Sequence, residues 1–150
     1  MSLFTGSYIY SVDAKGRINL PSKMRKSLSP ESADTFTLTF GMEHCVFVYP
    51  KDNWAIEQQK LSKLNKYLPE NRYVLRVMLE PVEETTLDAQ SRIIIPQRHR
   101  DYAGIKDEVL ILGMLEKIEL WNPQAYEEYK KKNDNKTYED VVAETLGRQE

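Results

Sequence analysis

Two aspartate–arginine pairs are the side chains best placed to do chemistry in this 150-residue chain. Asp13 stands four positions before Arg17, and Asp88 four before Arg92, with the two sets 75 residues apart. An aspartate opening a turn accepts backbone N–H bonds from residues just downstream. An arginine beyond it either closes the turn as an ion pair or offers a planar fork of donors to a phosphate or base edge. For Asp13 and Asp88 the structural role is expected. For Arg17 the outward role is favoured by its surroundings. From Asp13 to Lys26, five cations (Lys15, Arg17, Lys23, Arg25, Lys26) face one acid, a local net of +4 in a chain of net charge −2. From Asp88 to Asp101, Arg92, Arg98 and Arg100 face two acids, a local net of +1, with Glu80, Glu83 and Glu84 just upstream. A charge cluster is more often a solvated face than a site. Were it a site, its chemistry would suit the phosphates of DNA, with Lys15, Arg17, Lys23, Arg25 and Lys26 as the candidate contacts. Asp13, Gly16, Asp88, Arg92, Arg98 and Arg100 are expected to form the turns or make secondary contacts.

Other chemistries find little support. His44 and His99 are the only histidines. His44 lies in a turn and His99 among arginines. Cys45 adjoins His44, but neighbouring strand residues point to opposite faces, so a half-buried thiol is expected rather than a Cys–His couple. No Walker loop, dinucleotide fingerprint or metal-spaced Cys/His set is present, so no cofactor, metal or enzymatic activity is expected. A single cysteine, the absence of an apolar run of membrane-spanning length, and an opening without a signal-peptide pattern suggest a cytoplasmic protein without membrane partners.

The elements that must hold these pairs also repeat. Tyr8–Val12 and Glu83–Leu87 precede the turns, and Ile18-Asn19-Leu20-Pro21 and Ile93-Ile94-Ile95-Pro96 follow them. Each set predicts a hairpin running into a helix, with Pro21 in the first turn of a helix reaching Leu28. Gly16 suits a positive φ; Ser91 in its place predicts a strained or differently shaped second turn. Alternation predicts strands over Thr35–Phe40, Val46–Tyr49, Val109–Leu112 and Lys117–Trp121. Asp52 or Asn53 would cap a helix with a buried stripe of Trp54, Leu61, Leu64 and Leu68. Pro69 opens a helix carrying Tyr73, Val74, Val77 and Met78, and Pro123 another. Thr137-Tyr138-Glu139-Asp140 reads as a capping box for a last helix, expected to pack on a neighbour. The expected core is Val12, Ile18, Leu20, Leu38, Phe40, Val46, Val48, Leu87, Ile93, Ile95, Leu110, Leu112 and Ile118. The fold expectation is α+β and β-rich: a closed barrel built from both repeats, with flanking helices. Its parts are 4–68, a linking helix 69–81, 82–133 and a helical tail 134–150, the two repeats intertwined as one domain.

The doubled Asp-x-x-x-Arg turn followed by an apolar run and Pro resembles the AbrB-type swapped-hairpin barrel. Two copies in one chain resemble the MraZ family specifically, with Pro21 to Arg25, Tyr49-Pro50 with Trp54, Arg100 with Tyr102-Ala103-Gly104, and Glu119-Leu120-Trp121. That resemblance implies a bacterial, nucleoid-associated transcriptional regulator. It would bind double-stranded DNA at short direct repeats in the promoter of the division and cell-wall gene cluster, as an octamer-like ring of identical subunits. An oligomeric interaction hub, or an antitoxin-like regulator on the same barrel, is the alternative.

Overall fold

The structure, a computed structural model, describes residues 1–148; positions 149 and 150 of the expected tail lie outside the described residues. Two matching series of elements follow one another. The first is β1 (Ser7–Ser11), β2 (Arg17–Asn19), α1 (Ser22–Lys26), β3 (Thr35–Phe40), β4 (Val46–Pro50) and α2 (Lys51–Ser62). α3 (Pro69–Leu79) leads into the second: β5 (Glu83–Thr86), β6 (Arg92–Ile94), α4 (Gln97–Ala103), β7 (Glu108–Met114), β8 (Lys117–Trp121) and α5 (Pro123–Lys132). α6 (Tyr138–Leu146) ends the described chain. The class is α+β, as expected.

Strands adjacent in sequence at the two turns do not pair with each other. β1 runs antiparallel to β7, β5 to β3, and β2 to β6, so each turn sends its two strands to different partners. The expected hairpins therefore survive only as tight turns. The Asp13 N–H donates to the Arg17 carbonyl at 3.1 Å and the Gly16 N–H to the Asp13 carbonyl at 2.9 Å, after which the strands part. All three of these ladders join opposite halves of the chain. The main sheet has the order β1-β7-β8-β4-β3-β5, which reads the same from either end when the halves are exchanged. A pseudo-two-fold axis thus passes between β4 and β8, and also through the Ile18–Ile93 pair of the β2–β6 ribbon.

The hydrogen bonding does not close into a barrel. β1 and β5 are the sheet's edges, and β2–β6 is a separate two-stranded ribbon. The three residues of β2 are all paired with β6. Its mate β6 is tied to β5 by a side-chain bond, the Ile94 N–H donating to Thr85 Oγ1 at 3.1 Å.

The core lies between ribbon and sheet. Ile18 and Ile93 are buried there with Leu20, Ile95, Leu38, Val46, Val48 and Ile118. Burial of each isoleucine contributes roughly 1.5–3 kcal/mol. Val12 and Leu87 pack against this core only partly buried; Phe40 and Leu112 are likewise half-covered. Leu110 belongs to a second cluster with Cys45 and Trp121. Phe4, Met24, Phe36 and Ile111 are core residues absent from the expected set.

Several helix expectations need correction. α1 stops at Lys26, with Pro21 as its N-cap residue. Pro50, not Asp52 or Asn53, precedes α2. Asp52 Oδ2 instead accepts the Ser29 hydroxyl at 2.8 Å, and Asn53 Nδ2 donates to the carbonyls of Ser2 (2.9 Å) and Glu116 (2.8 Å). Tertiary partners outbid the local cap. α2 ends at Ser62, so Leu64 and Leu68 fall outside it and only Trp54 of the expected stripe is buried. Thr137 does cap α6, accepting the Asp140 N–H at 3.1 Å, but α6 packs substantially on no other element. Among the described residues, no helix is long and apolar enough to cross a membrane.

Candidate nucleic-acid interface

The two turns have one design. Asp13 Oδ1 accepts the amides of Lys15 (3.0 Å) and Arg17 (2.8 Å), and Oδ2 accepts Arg17 Nε at 2.7 Å. Asp88 Oδ1 accepts the amides of Gln90 and Arg92, each at 2.9 Å, and Oδ2 accepts Arg92 Nε at 2.9 Å. The backbone bond from Arg17, then its guanidinium, holds Asp13 below its ordinary carboxylate pKa; Arg92 does the same for Asp88. Gly16 has φ +80° and Ser91 φ +60°, so the second turn keeps the shape of the first and places a serine in the left-handed region. It is strained, not reshaped. Across the axis, the Leu20 N–H donates to the Ser91 carbonyl (3.0 Å) and the Ile95 N–H to the Gly16 carbonyl (2.8 Å).

The ribbon's outer face follows from its register. Strand side chains alternate, so the burial of Ile18 and Ile93 turns Arg17, Asn19, Arg92 and Ile94 outward. Arg17 stands opposite Ile94, and Asn19 opposite Arg92. The arginine side chains are 29% and 25% exposed. Asn19 and Ile94 were not among the expected site residues. Period-two alternation, counted from Arg17 and Arg92, is the signal that would have found them.

The structure separates the remaining cations by what they already hold. Lys15, Lys23 and Lys26 are exposed and make no ion pair among the described residues. Arg25 Nε donates to the Leu20 carbonyl at 3.1 Å, and its counterpart Arg100 donates to the Ile95 carbonyl at 2.9 Å. Both arginines thus brace a strand end before they can bind anything else. Arg98 is occupied by Glu80 at 2.8 Å and lies 5.8 Å over the Phe40 ring.

Each turn meets the helix of the other half across a cleft. One cleft, about 530 Å³, is lined by Tyr10, Asn19, Arg25, Gln90 and Ser91 among others, and Arg25 is its only charged side chain. A second cleft, about 630 Å³, lies between the first turn and α4 and is lined by Asp13, Arg100, Asp101, Lys106 and Asp107 with neighbours, three acids against two bases. α1 carries Lys23, Arg25 and Lys26 with no acid, whereas α4 sets Asp101 against Arg98 and Arg100, so the surface bordered by α1 is the one an anion can approach.

The Cys–His alternative has no geometry. The Cys45 thiol donates to the Met42 carbonyl at 3.1 Å, is fully buried, and has its pKa pushed up by burial. The His44 ring stands 4.9 Å from Tyr102 instead. Among the described residues no group of His, Cys, Asp and Glu could hold a metal ion.

The duplicated turn also identifies relatives. A family model described as "MraZ protein, putative antitoxin-like" matches twice, over residues 3–77 and 78–149. A protein of Natranaerobius thermophilus named transcriptional regulator MraZ is 32% identical over 144 residues, covering 96% of this chain and 97% of its own. Proteins of the same name from Clostridium tetani and Finegoldia magna are each 36% identical; the alignments cover 93% and 96% of this chain, and 94% and 96% of theirs. With both turns inside matched repeats and the likeness running nearly end to end, the chain belongs to the MraZ family.

Proposed function

We propose that this protein is a sequence-specific, DNA-binding transcriptional regulator, with no enzymatic role, that contacts duplex DNA through the outer face of β2–β6 and the adjoining α1. The observation that carries the reading is the exposed ribbon face of Arg17, Asn19 and Arg92, bordered by Lys15, Lys23, Arg25 and Lys26. A two-stranded ribbon fits the major groove, where a bidentate arginine pairs with guanine and an asparagine with adenine. The lysines and Arg25 hold phosphates and set the register.

The relatives' name, transcriptional regulator, favours the same reading. We further propose that the targets are short direct repeats in the promoter of the division and cell-wall gene cluster. The two repeats, 4–68 and 82–133, act as one intertwined AbrB-like unit, their strand exchange supporting that likeness. One small basic face on an acidic chain binds weakly. Several identical faces on an octamer-like ring, meeting repeated sites at matching spacing, bind far more tightly. The cytoplasm and nucleoid are where such a protein would act. The exposed apolar face of α3 favours protein contacts as well. An interaction hub, however, leaves the unpaired cations beside the ribbon without a purpose.

The test is selection of bound duplexes from a random pool, followed by a salt titration on the winners. The expected result is a short motif recurring at fixed spacing, with the logarithm of the binding constant falling linearly with the logarithm of salt concentration. A pool that never enriches overturns the proposal.

A further inference from the structure

α3 presents an apolar face with nothing on it. None of its residues is buried; Tyr73 is 66% exposed and Val77 48%, with Val74, Met78 and Leu79 beside them. A cleft of about 290 Å³ between α2 and α3 is lined by Leu61, Lys66, Leu75 and Leu79 among others. It adjoins a wider hollow at Leu75, Arg76, Val77 and Leu79. Exposed apolar surface gathered in this way marks an interaction site. The surroundings carry a basic excess: Lys60, Lys63, Lys66, Arg72 and Arg76 lie on and between the two helices, against Glu57, which pairs with Lys60, Glu70, and Glu80, which pairs with Arg98.

The matching surface is at the other end of the chain. α6 places Tyr138, Val141, Val142 and Leu146 at positions i, i+3, i+4 and i+8, one helical stripe. Its charges are Glu139, Asp140 and Glu144, with no cation between Tyr138 and Leu146. Tyr138 is 80% exposed, and α6 packs substantially on nothing in its own chain. A helix of nine residues is marginal alone in water and gains stability by burying an apolar stripe.

We propose that α6 of one copy lays its Tyr138–Val141–Leu146 stripe into the α2–α3 groove of a second copy, Glu139 and Asp140 facing Lys66, Arg72 and Arg76 while Glu144 keeps its own Lys136. This is helix-in-groove recognition, anchored at i, i+3 and i+7 or i+8. It rests on the homo-oligomer proposed above and names the contact that builds it. The two surfaces are different, so each copy offers one helix and one groove. Such a head-to-tail contact propagates around a ring when the rotation closes.

The test uses full-length protein without DNA, so its failure is separable from failure of the DNA-binding reading. Sedimentation velocity of the wild type gives a species several times the 17.5 kDa chain mass. Val77→Glu spoils the groove and Val141→Glu the helix; both side chains are exposed, and each variant alone sediments as a monomer with unchanged circular dichroism. Mixed together, the two recover a dimer and nothing larger, because one sound helix meets one sound groove. Leu79→Glu, at a residue lining both hollows, with Leu146→Glu is a second complementing pair. A monomeric wild type, single variants that assemble fully, or mixtures of both pairs that stay monomeric overturn the proposal.

Discussion

The Arg92 guanidinium reaches to 4.0 Å from the Asp13 carboxylate of the opposite turn, while also bonded to its own Asp88. Arg17 meets only its own Asp13, and its two terminal nitrogens make no hydrogen bond among the described residues. Two arginines related by the pseudo-axis therefore differ in how much donor capacity they keep for a ligand. Arg17→Ala is expected to weaken specific DNA binding by about 1–3 kcal/mol, roughly five- to 150-fold. Arg92→Ala should cost less. Gel shifts on the selected site, with circular dichroism as a fold control, decide it; undiminished binding by Arg17→Ala would falsify its role.

Asn19 and Ile94 occupy the same place in the two repeats but differ in chemistry. An asparagine can pair with adenine, whereas an isoleucine can only touch a thymine methyl. The ribbon should accordingly read a non-palindromic site. Asn19→Ala is expected to keep overall affinity for DNA within about tenfold while relaxing preference at one base pair by about 1–3 kcal/mol. Repeating the selection with this variant shows which column of the motif flattens. An unchanged motif removes Asn19 from the reading face.

A Cβ on Gly16 would lie 2.8 Å from the Arg100 guanidinium carbon and from the Ile95 carbonyl oxygen, in a residue already at φ +80°. Gly16→Ala should destabilise the fold by more than about 1 kcal/mol. Ser91→Gly removes a left-handed non-glycine residue but loosens the unfolded chain, so its gain should stay below about 1 kcal/mol. Denaturant midpoints measured at constant slope check both. Equal, negligible shifts would show that the turns are not strained as described.

His99 is fully buried with neither ring nitrogen hydrogen-bonded, and lies 5.4 Å edge-on to Phe40. Burial pushes its pKa below the ordinary 6.5, with the Arg98 charge adding to this; the Pro81 carbonyl and the Glu83 carboxylate oppose it less strongly. The unfolded chain then binds its proton more readily than the native one. The stabilisation is complete above pH 6.5 and is lost as pH falls from there towards the lowered native value. The matching core position in the first repeat is Met24. His99→Met should flatten stability across that window and leave neutral-pH stability equal or higher. Denaturant titrations at pH 7 and at intervals below 6.5 read it directly; a variant that keeps the wild-type slope assigns the loss to other groups.

Local pattern was enough to establish the duplication, the turn chemistry of Asp13 and Asp88, and the course of β3, β4, α3 and α5. Each depends on residues within a few positions of one another. Pairing partners were not legible. Every strand carries the same backbone donors and acceptors, so nothing in Tyr8–Ser11 says that it will join β7 and not β2. That choice is made by which arrangement buries Ile18 and Ile93 together, a contact between residues 75 positions apart. The same holds for the side chains. Arg25 read as a DNA contact and Arg98 as a turn or secondary contact, and only folding brought the Leu20 carbonyl and Glu80 to them. Of the stripe Trp54, Leu61, Leu64 and Leu68 only Trp54 is buried, because amphipathicity tells a helix which side to cover but not whether its own chain supplies the cover.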